Sequence, residues 1–122
     1  MEAKEKIVII STIGKENPEK ATLPFVLATA ALATDVNVAV ILQSNSVMLA
    51  KKGEAEDVKA TGLLPLKELL DTFIELKGNL YLCSPCVKER EIKDDELIEG
   101  SEIIAAGTVV TEVLSATSVV TY

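Results

Sequence analysis

The stretch Val36-Asn-Val-Ala-Val-Ile-Leu42 has the nearly continuous apolar character of a strand buried on both faces of a sheet. Three further runs share this character: Ile7–Ile10, Leu80–Leu82 and Ile103–Ala106. A fifth candidate strand, Ser118–Tyr122, closes the chain. Strands with two buried faces are typical of parallel sheets, because helices cover both sides of such sheets.

Helical signals lie between these strands. Asn17 followed by Pro18 predicts a helix start, and an Ala/Leu-rich segment with one apolar face continues to Ala33. Pro24 predicts either a kink in this helix or a true start at Thr22, because an interior proline removes a backbone hydrogen bond.

The clearest helix begins at Pro65, with apolar residues at helical spacing and with Gly78 where a C-terminal cap belongs. Its apolar residues are Leu66, Leu69, Leu70 and Phe73. Short helices are predicted at Val47–Lys51 and Asp94–Ile98, and a solvent-facing loop is predicted at Gly53–Gly62. A last helix is predicted to be capped by Thr108, with Val110, Val113 and Leu114 facing inward. Alternating strands and helices predict right-handed crossovers. The expected fold is therefore an α/β, three-layer α/β/α sandwich with a mainly parallel sheet of about five strands, in one domain over residues 1–122.

Composition excludes several classes of function. The net charge of -7 and the pI of about 4.6 would repel a phosphate backbone, so nucleic acid is not an expected partner. The longest apolar stretches are far shorter than the roughly 20 residues that span a bilayer, so no membrane span is expected. Met1–Lys6 mixes charges and lacks the apolar region of a signal peptide, which predicts a cytoplasmic protein.

The sequence contains no histidine. This excludes Ser-His-Asp and Cys-His catalysis and leaves a metal site short of ligands, so we expect no metal and no cofactor. The loop Gly14-Lys15 lacks the spacing of a phosphate-binding loop. Acidic residues at 94–96 are interpreted as complements of a helix dipole rather than as cation ligands.

Ligands of open parallel sheets bind at the carboxyl ends of the strands, and Cys83 is the strong nucleophile at such an end. It begins Cys83-Ser-Pro-Cys86, and a C-x-x-C pair in a reducing compartment is more often reactive than structural. We expect Cys83 to be the more reactive thiol, because Cys86 lies one turn into the following segment. Lys88, Arg90 and backbone N–H groups favour a thiolate or persulfide anion, whereas neighbouring glutamates oppose it. Three more candidate substrate-binding residues, Ser11, Thr12 and Asn45, either line the crevice as donors or cap helices and turns.

Five segments, in this order and spacing, carry a resemblance to a known family: Ile10–Thr12, Asn17–Ala21 with the helix it leads, Val36–Leu42, Val47–Ala50 and Leu82–Arg90. The chain resembles the DsrE/DsrF-like family of small sulfur-relay domains, which includes subunits of sulfurtransferase complexes. The resemblance implies that Cys83 carries sulfur as a persulfide and that Arg90 stands at the family's arginine position. Glu91 departs from the family's frequent glycine, and Cys86 occurs in only some members. The choice between persulfide and disulfide chemistry therefore stays open.

Three functions follow as hypotheses. The first is a sulfur carrier or sulfurtransferase-like protein that takes sulfane sulfur from a donor and gives it to an acceptor. Donor and acceptor would be proteins or small sulfur species. Cys86 would be a resolving or modulating thiol. The second is a dithiol-disulfide redox protein, and the third a non-enzymatic assembly or regulatory subunit with inert cysteines.

A mean hydropathy of +0.32 in a 13.0 kDa chain predicts a homo-oligomer, for which the resemblance favours a trimer or hexamer over a dimer.

Overall fold

The computed structural model describes residues 4–122, so part of the Met1–Lys6 segment used above lies outside the described residues. Five parallel strands form one sheet in the order β4-β3-β2-β1-β5. The strands are β1 (Lys6–Ser11), β2 (Asn37–Leu42), β3 (Asn79–Cys83), β4 (Ser101–Ile104) and β5 (Ser118–Thr121). The α-helices are α1 (Pro18–Ala33), α2 (Leu66–Glu75), α3 (Ser84–Glu89) and α4 (Ala106–Ser115), and 3₁₀ segments lie at Ser44–Ala50, Ala55–Asp57 and Asp94–Glu96.

The three-layer α/β/α fold is confirmed. The chain crosses the sheet in one direction from β1 to β4 and then returns to β5 beside β1. Right-handed crossovers therefore put α1, α2 and α3 on one face and α4 on the other. The larger core lies on the first face around the edge-to-face pair Phe25 and Phe73, whose ring centroids are 5.7 Å apart. On the second face a smaller core of Val8, Ala39, Ile41 and Ile104 packs against α4.

Helix α1 begins where Asn17 and Pro18 predicted, and the alternative start at Thr22 is wrong. The Asn17 side chain accepts a hydrogen bond from the Lys20 N–H at 3.1 Å, which caps the first turn. The helix continues through Pro24, whose ring is buried. Burial of the ring against the core offsets the single backbone hydrogen bond that the proline cannot donate.

The C-terminus of α2 differs from the prediction in its capping residue. Lys77, with φ 69°, adopts the left-handed conformation, and the Gly78 N–H donates to the Phe73 carbonyl at 3.0 Å. This pattern is a Schellman motif with lysine at the position that glycine usually fills. Gly78 is required for a different reason, because a Cβ there would overlap the Phe73 ring.

Several boundaries were predicted wrongly. Strand β4 ends at Ile104 because α4 is already capped at Ala105, not at Thr108. The inward face of α4 carries Val109, Val113 and Ala116, so two residues predicted to face inward, Val110 and Leu114, are instead 57% and 80% exposed. The segments predicted as short helices form 3₁₀ turns, and the loop predicted to face solvent buries Ala55 and Val58. Among residues 4–122, every helix is too short or too polar to cross a bilayer.

Candidate functional site

The two thiols lie in contact at the carboxyl end of the sheet. Cys83 is the last residue of β3 and the N-cap of α3, and Cys86 lies in the first turn of that helix. Pro85 suits this turn because its fixed φ and missing N–H are tolerated there. The two Sγ atoms are 3.1 Å apart, both thiols are free, and both side chains are half-buried. The pair is therefore accessible to a small reactant and positioned for reaction between the two sulfurs.

Ser44 supplies a backbone donor to this pair. It follows β2, the strand next to β3, and its N–H donates to Cys86 Sγ at 3.1 Å. Its φ of 52° lies in the left-handed region, which costs a non-glycine residue roughly 1–2 kcal/mol. The Ser46 hydroxyl, which contacts the carbonyl oxygens of Ser11 and Gln43 at 2.7 Å each, holds the turn in place. Such local strain is found at sites where backbone groups must face a ligand or a reactive atom.

A chain of polar side chains leads from the loop after β1 to the thiols. Asn45 Nδ2 donates to Glu16 Oε1 at 2.8 Å, and Arg90 Nε donates to Asn45 Oδ1 at 3.3 Å. Arg90 also donates through Nη1 to the carbonyl oxygen of Cys86 at 3.2 Å. Both ends of the Asn45 amide are thus engaged, so Asn45 orients Arg90 in this structure.

Gly14 permits the close approach of the two loops that carry this chain. A Cβ at Gly14 would lie 2.7 Å from the Asn45 carbonyl oxygen and 2.9 Å from Glu16 Oε1. Burial pushes the pKa of Glu16 up, but hydrogen bonds from Asn45 and from backbone N–H groups, helped by the charge of Arg90, bring the pKa below its ordinary value. Glu16 is therefore a carboxylate at neutral pH, and it accepts the hydrogen bond that fixes the Asn45 amide.

Neighbouring groups shift the pKa of the Cys83 thiol in opposite directions. Burial raises its pKa above the ordinary value of 9.0, and the hydrogen bond and charge of Cys86 raise it further. The backbone N–H of Cys86 and the cation of Arg90 lower the pKa by less. At neutral pH Cys83 is consequently held mostly as the thiol.

Glu91 stands where the resemblance predicts glycine, and the backbone at this position explains why glycine is favoured there. Arg90 is the C-cap of α3, and Glu91 adopts a left-handed φ of 52°. The Ile92 N–H donates to the Val87 carbonyl at 3.2 Å, and both of these side chains are buried in the core. This is another Schellman motif, in which glycine is favoured because it has no Cβ. The structure keeps the motif with glutamate in that position.

The structure places the other predicted site residues as follows. Ser11 is buried at the end of β1, two strands from β3, and its hydroxyl has no hydrogen-bond partner among the described residues. The Thr12 hydroxyl donates to the Tyr122 carbonyl at 3.2 Å, on the β5 side of β1. Lys88 is exposed on α3. Cys83, Cys86, Asn45 and Arg90 are thus the predicted residues that specific contacts bring together.

Sequence reasoning missed Ser44, Glu16 and Gly14. An isolated glycine in a loop at a strand end is a signal of close backbone approach, and this signal was present at Gly14. Among residues 4–122, no group of three or more Cys, Asp and Glu side chains is arranged to hold a metal ion.

The fold and the site define a small α/β domain with a thiol pair at the end of a central parallel strand. The family model of the DsrE/DsrF-like family matches residues 5–122. The chain therefore belongs to the DsrE/DsrF-like family.

Curated relatives come from archaea. The uncharacterized protein MJ0989 of Methanocaldococcus jannaschii is 32% identical over 117 residues, which cover 96% of this chain and 99% of that protein. The uncharacterized protein MK0008 of Methanopyrus kandleri is 32% identical over 102 residues, 81% of each chain. The uncharacterized protein MJ0760 of M. jannaschii is 32% identical over 104 residues, and the match covers 85% of this chain but only 38% of that longer protein.

Solved structures share the fold. The YchN protein of E. coli superposes with a TM-score of 0.83 at 24% identity, covering 97% of this chain and 99% of that one. The protein of unknown function MTH1491 from Methanobacterium thermoautotrophicum gives a TM-score of 0.70 at 14% identity, with 98% and 100% covered. At these identities the likeness concerns the fold alone.

Proposed function

We propose that this protein is a cytoplasmic sulfur carrier of the sulfurtransferase type, formed by one domain over residues 1–122, in which Cys83 takes up sulfane sulfur as a persulfide. The observation that carries the proposal is the position of Cys83, half-buried at the carboxyl end of β3 beside the oriented guanidinium of Arg90. A persulfide anion on Cys83 is stabilised by that cation. Lys88 is exposed on the same helix, and we propose that it adds positive charge near the site.

Family membership supports this proposal at the level of a sulfur-relay domain. The donor and the acceptor are sulfur-carrying proteins or small sulfur species, because the half-buried thiol admits a small group or a narrow chain. Ser11 and Thr12 belong to the proposed crevice as wall residues. The Ser11 carbonyl accepts a hydrogen bond from the Ser46 hydroxyl, and the Thr12 hydroxyl donates to the Tyr122 carbonyl.

Intact-mass measurement tests the proposal directly. The reduced protein is incubated with thiosulfate or with a low-molecular-weight persulfide, and the excess donor is removed before measurement. The Cys86→Ser variant should gain the mass of one sulfur atom, and Cys83→Ser should gain none. A gain that survives in Cys83→Ser and vanishes in Cys86→Ser would move the carrier role to Cys86.

A dithiol-disulfide redox function is the second candidate, and the contact of 3.1 Å between the two sulfurs favours it. A pure redox protein would lose two hydrogens under mild oxidation and would return to the dithiol with a thiol reductant, without gaining sulfur in any variant. If no variant reacts with either a sulfur donor or an oxidant, the cysteines are inert. The third hypothesis, an assembly or regulatory subunit, would then be the correct one.

We also propose that the protein is a homo-oligomer, with a trimer or hexamer favoured, and that its C-terminal segment forms the interface. Residues 103–122 contain a single charged residue, Glu112, in a chain of net charge -7. Glu112 lies 2.9 Å from Lys6 Nζ and is largely buried, so the segment presents almost no charge to solvent. Apolar side chains are exposed there instead: Val110, Leu114, Val119 and Tyr122.

The edge strand β5 adds a second reason. Its sequence Ser-Val-Val-Thr has neither charge nor proline, the usual protections of an exposed edge. A second copy of this acidic chain meets the least like-charge repulsion on this surface. Light scattering coupled to size exclusion should give a mass above that of one chain, and Leu114→Glu should lower it. A wild-type mass of one chain at micromolar concentration would refute the oligomer.

A further inference from the structure

We propose that Cys86 discharges the persulfide of Cys83 as free sulfide, so that one cycle of sulfur uptake ends in a Cys83–Cys86 disulfide. This inference rests on the proposed uptake of sulfur by Cys83. It adds an activity, sulfide release, and a fate for the sulfur when no acceptor is bound.

The distance between the sulfurs decides which atom Cys86 attacks. Cys86 Sγ lies 3.1 Å from Cys83 Sγ, which is within the separation of about 3–3.5 Å expected for reacting atoms held in a near-attack arrangement. In a persulfide, Cys83 Sγ is the inner sulfur and the added atom is the outer one. Cys86 is therefore already in contact with the inner sulfur.

The step balances without any further reactant. The Cys86 thiolate, having lost its proton to water, forms a bond to Cys83 Sγ, and the bond between Cys83 Sγ and the outer sulfur breaks. The outer sulfur leaves with the bonding pair and its proton as HS⁻, so the sulfane sulfur is reduced to sulfide. The two cysteine sulfurs are oxidised together to a disulfide.

Ser44 holds the attacking sulfur for this step. Its backbone N–H donates to Cys86 Sγ from the side of the neighbouring strand β2. This contact, 3.1 Å long, fixes the position of Cys86 Sγ beside Cys83 Sγ. The left-handed φ of 52° at Ser44 is the backbone conformation that aims the N–H at the thiol pair.

A single-turnover experiment tests the inference. Reduced wild-type protein, Cys86→Ser and Cys83→Ser are each freed of reductant and mixed with a glutathione persulfide whose sulfane sulfur is isotopically labelled. Labelled sulfide is then trapped and quantified, and the intact mass of each protein is measured in the same sample. Cys86→Ala serves as a second variant, which shows whether the introduced serine hydroxyl itself changes the release of sulfide.

The wild type should release one labelled sulfide per chain and lose two hydrogens in mass. Both Cys86 variants should keep the added sulfur and release labelled sulfide at least about tenfold more slowly, since the intramolecular thiol is gone. The inference is overturned if wild-type protein keeps the added sulfur for as long as the Cys86 variants do. It is also overturned, together with the proposed function, if the Cys86 variants acquire no sulfur.

Discussion

Replacing Gly14 by alanine should disturb the thiol site from a distance, through the contact between two loops. The added Cβ would lie 2.7 Å from the carbonyl oxygen of Asn45 and 2.9 Å from Glu16 Oε1. The Glu16 side chain can rotate away, but the Asn45 oxygen belongs to the backbone. The 3₁₀ segment that begins at Ser44 must therefore move, or the loop after β1 must move instead.

The size of the effect follows from this overlap. Carbon-oxygen contacts of this kind are usually about 3.3–3.6 Å long, so the loops have to separate by roughly half an ångström or more. Overpacking of this extent typically costs ~1–3 kcal/mol. We expect Gly14→Ala to lower the free energy of unfolding by that amount in urea titrations. The neighbouring Lys15→Ala is the matched control, because it removes only an exposed ion pair with Glu54 and should change stability little.

The Gly14→Ala substitution should also change the pH dependence of Cys83 alkylation. Moving Asn45 removes the acceptor that orients Arg90, and the Arg90 cation is one of the groups that lower the pKa of Cys83. The pH profile of alkylation, measured in a Cys86→Ser background, should therefore shift to higher pH in Gly14→Ala and stay in place in Lys15→Ala. Lost stability with an unchanged alkylation profile would refute the coupling between the Gly14 loop and the thiol site. Wild-type stability in Gly14→Ala would refute the overlap itself.

Three further predictions concern backbone strain and charge. Glu91→Gly and Lys77→Gly should each raise the free energy of unfolding by roughly 0.5–1 kcal/mol in urea titrations, because both residues hold left-handed positions in Schellman motifs; unchanged stability would contradict this. Arg90→Gln should raise the pKa of Cys83 slightly, and alkylation at lower pH than in wild type would contradict the assigned direction. Because folding raises the pKa of Cys83, the stability that its protonated form contributes should be fully present below the unfolded pKa near 9.0 and lost as the pH rises through the higher folded pKa. Cys83→Ser should therefore flatten the decline of the melting temperature at alkaline pH.

Most of the strands were predictable because nearly continuous apolar runs are typical of strands buried on both faces of a parallel sheet. The prediction failed at β4, where the apolar run continues through Ala105 and Ala106 without a break. The alanines belong to the start of α4, and a run of apolar residues does not reveal where a strand ends and a buried helix begins. The inward face of α4 was misassigned by one residue for the same reason, since valines suit either side of that helix.

The centre of the candidate site could be predicted from a rule of topology, but the residues around it could not. Carboxyl ends of parallel strands meet at one edge of the sheet, which places the turn after β2, with Asn45, beside the end of β3, with Cys83. The roles of Ser44 and Glu16 depend on backbone conformation and on how two loops pack. A left-handed serine has no sequence signature comparable with glycine, and a single glutamate in a charged loop has many possible partners.

If Cys83 carries sulfur as proposed, its environment affects whether that sulfur passes to an acceptor or leaves as sulfide. An external acceptor that attacks the outer sulfur must expel the Cys83 thiolate, whereas Cys86 attacking the inner sulfur expels HS⁻. Thiols with a lower pKa are the better leaving groups, and burial raises the pKa of Cys83. In the proposed cycle, the geometry and the electrostatics therefore both favour release of sulfide over transfer in the isolated chain. An acceptor can reverse this preference by separating the two sulfurs or by bringing positive charge to Cys83. Because Ser44 holds Cys86 and Asn45 holds Arg90, the 3₁₀ segment after β2 is the element through which a docked acceptor would make that change.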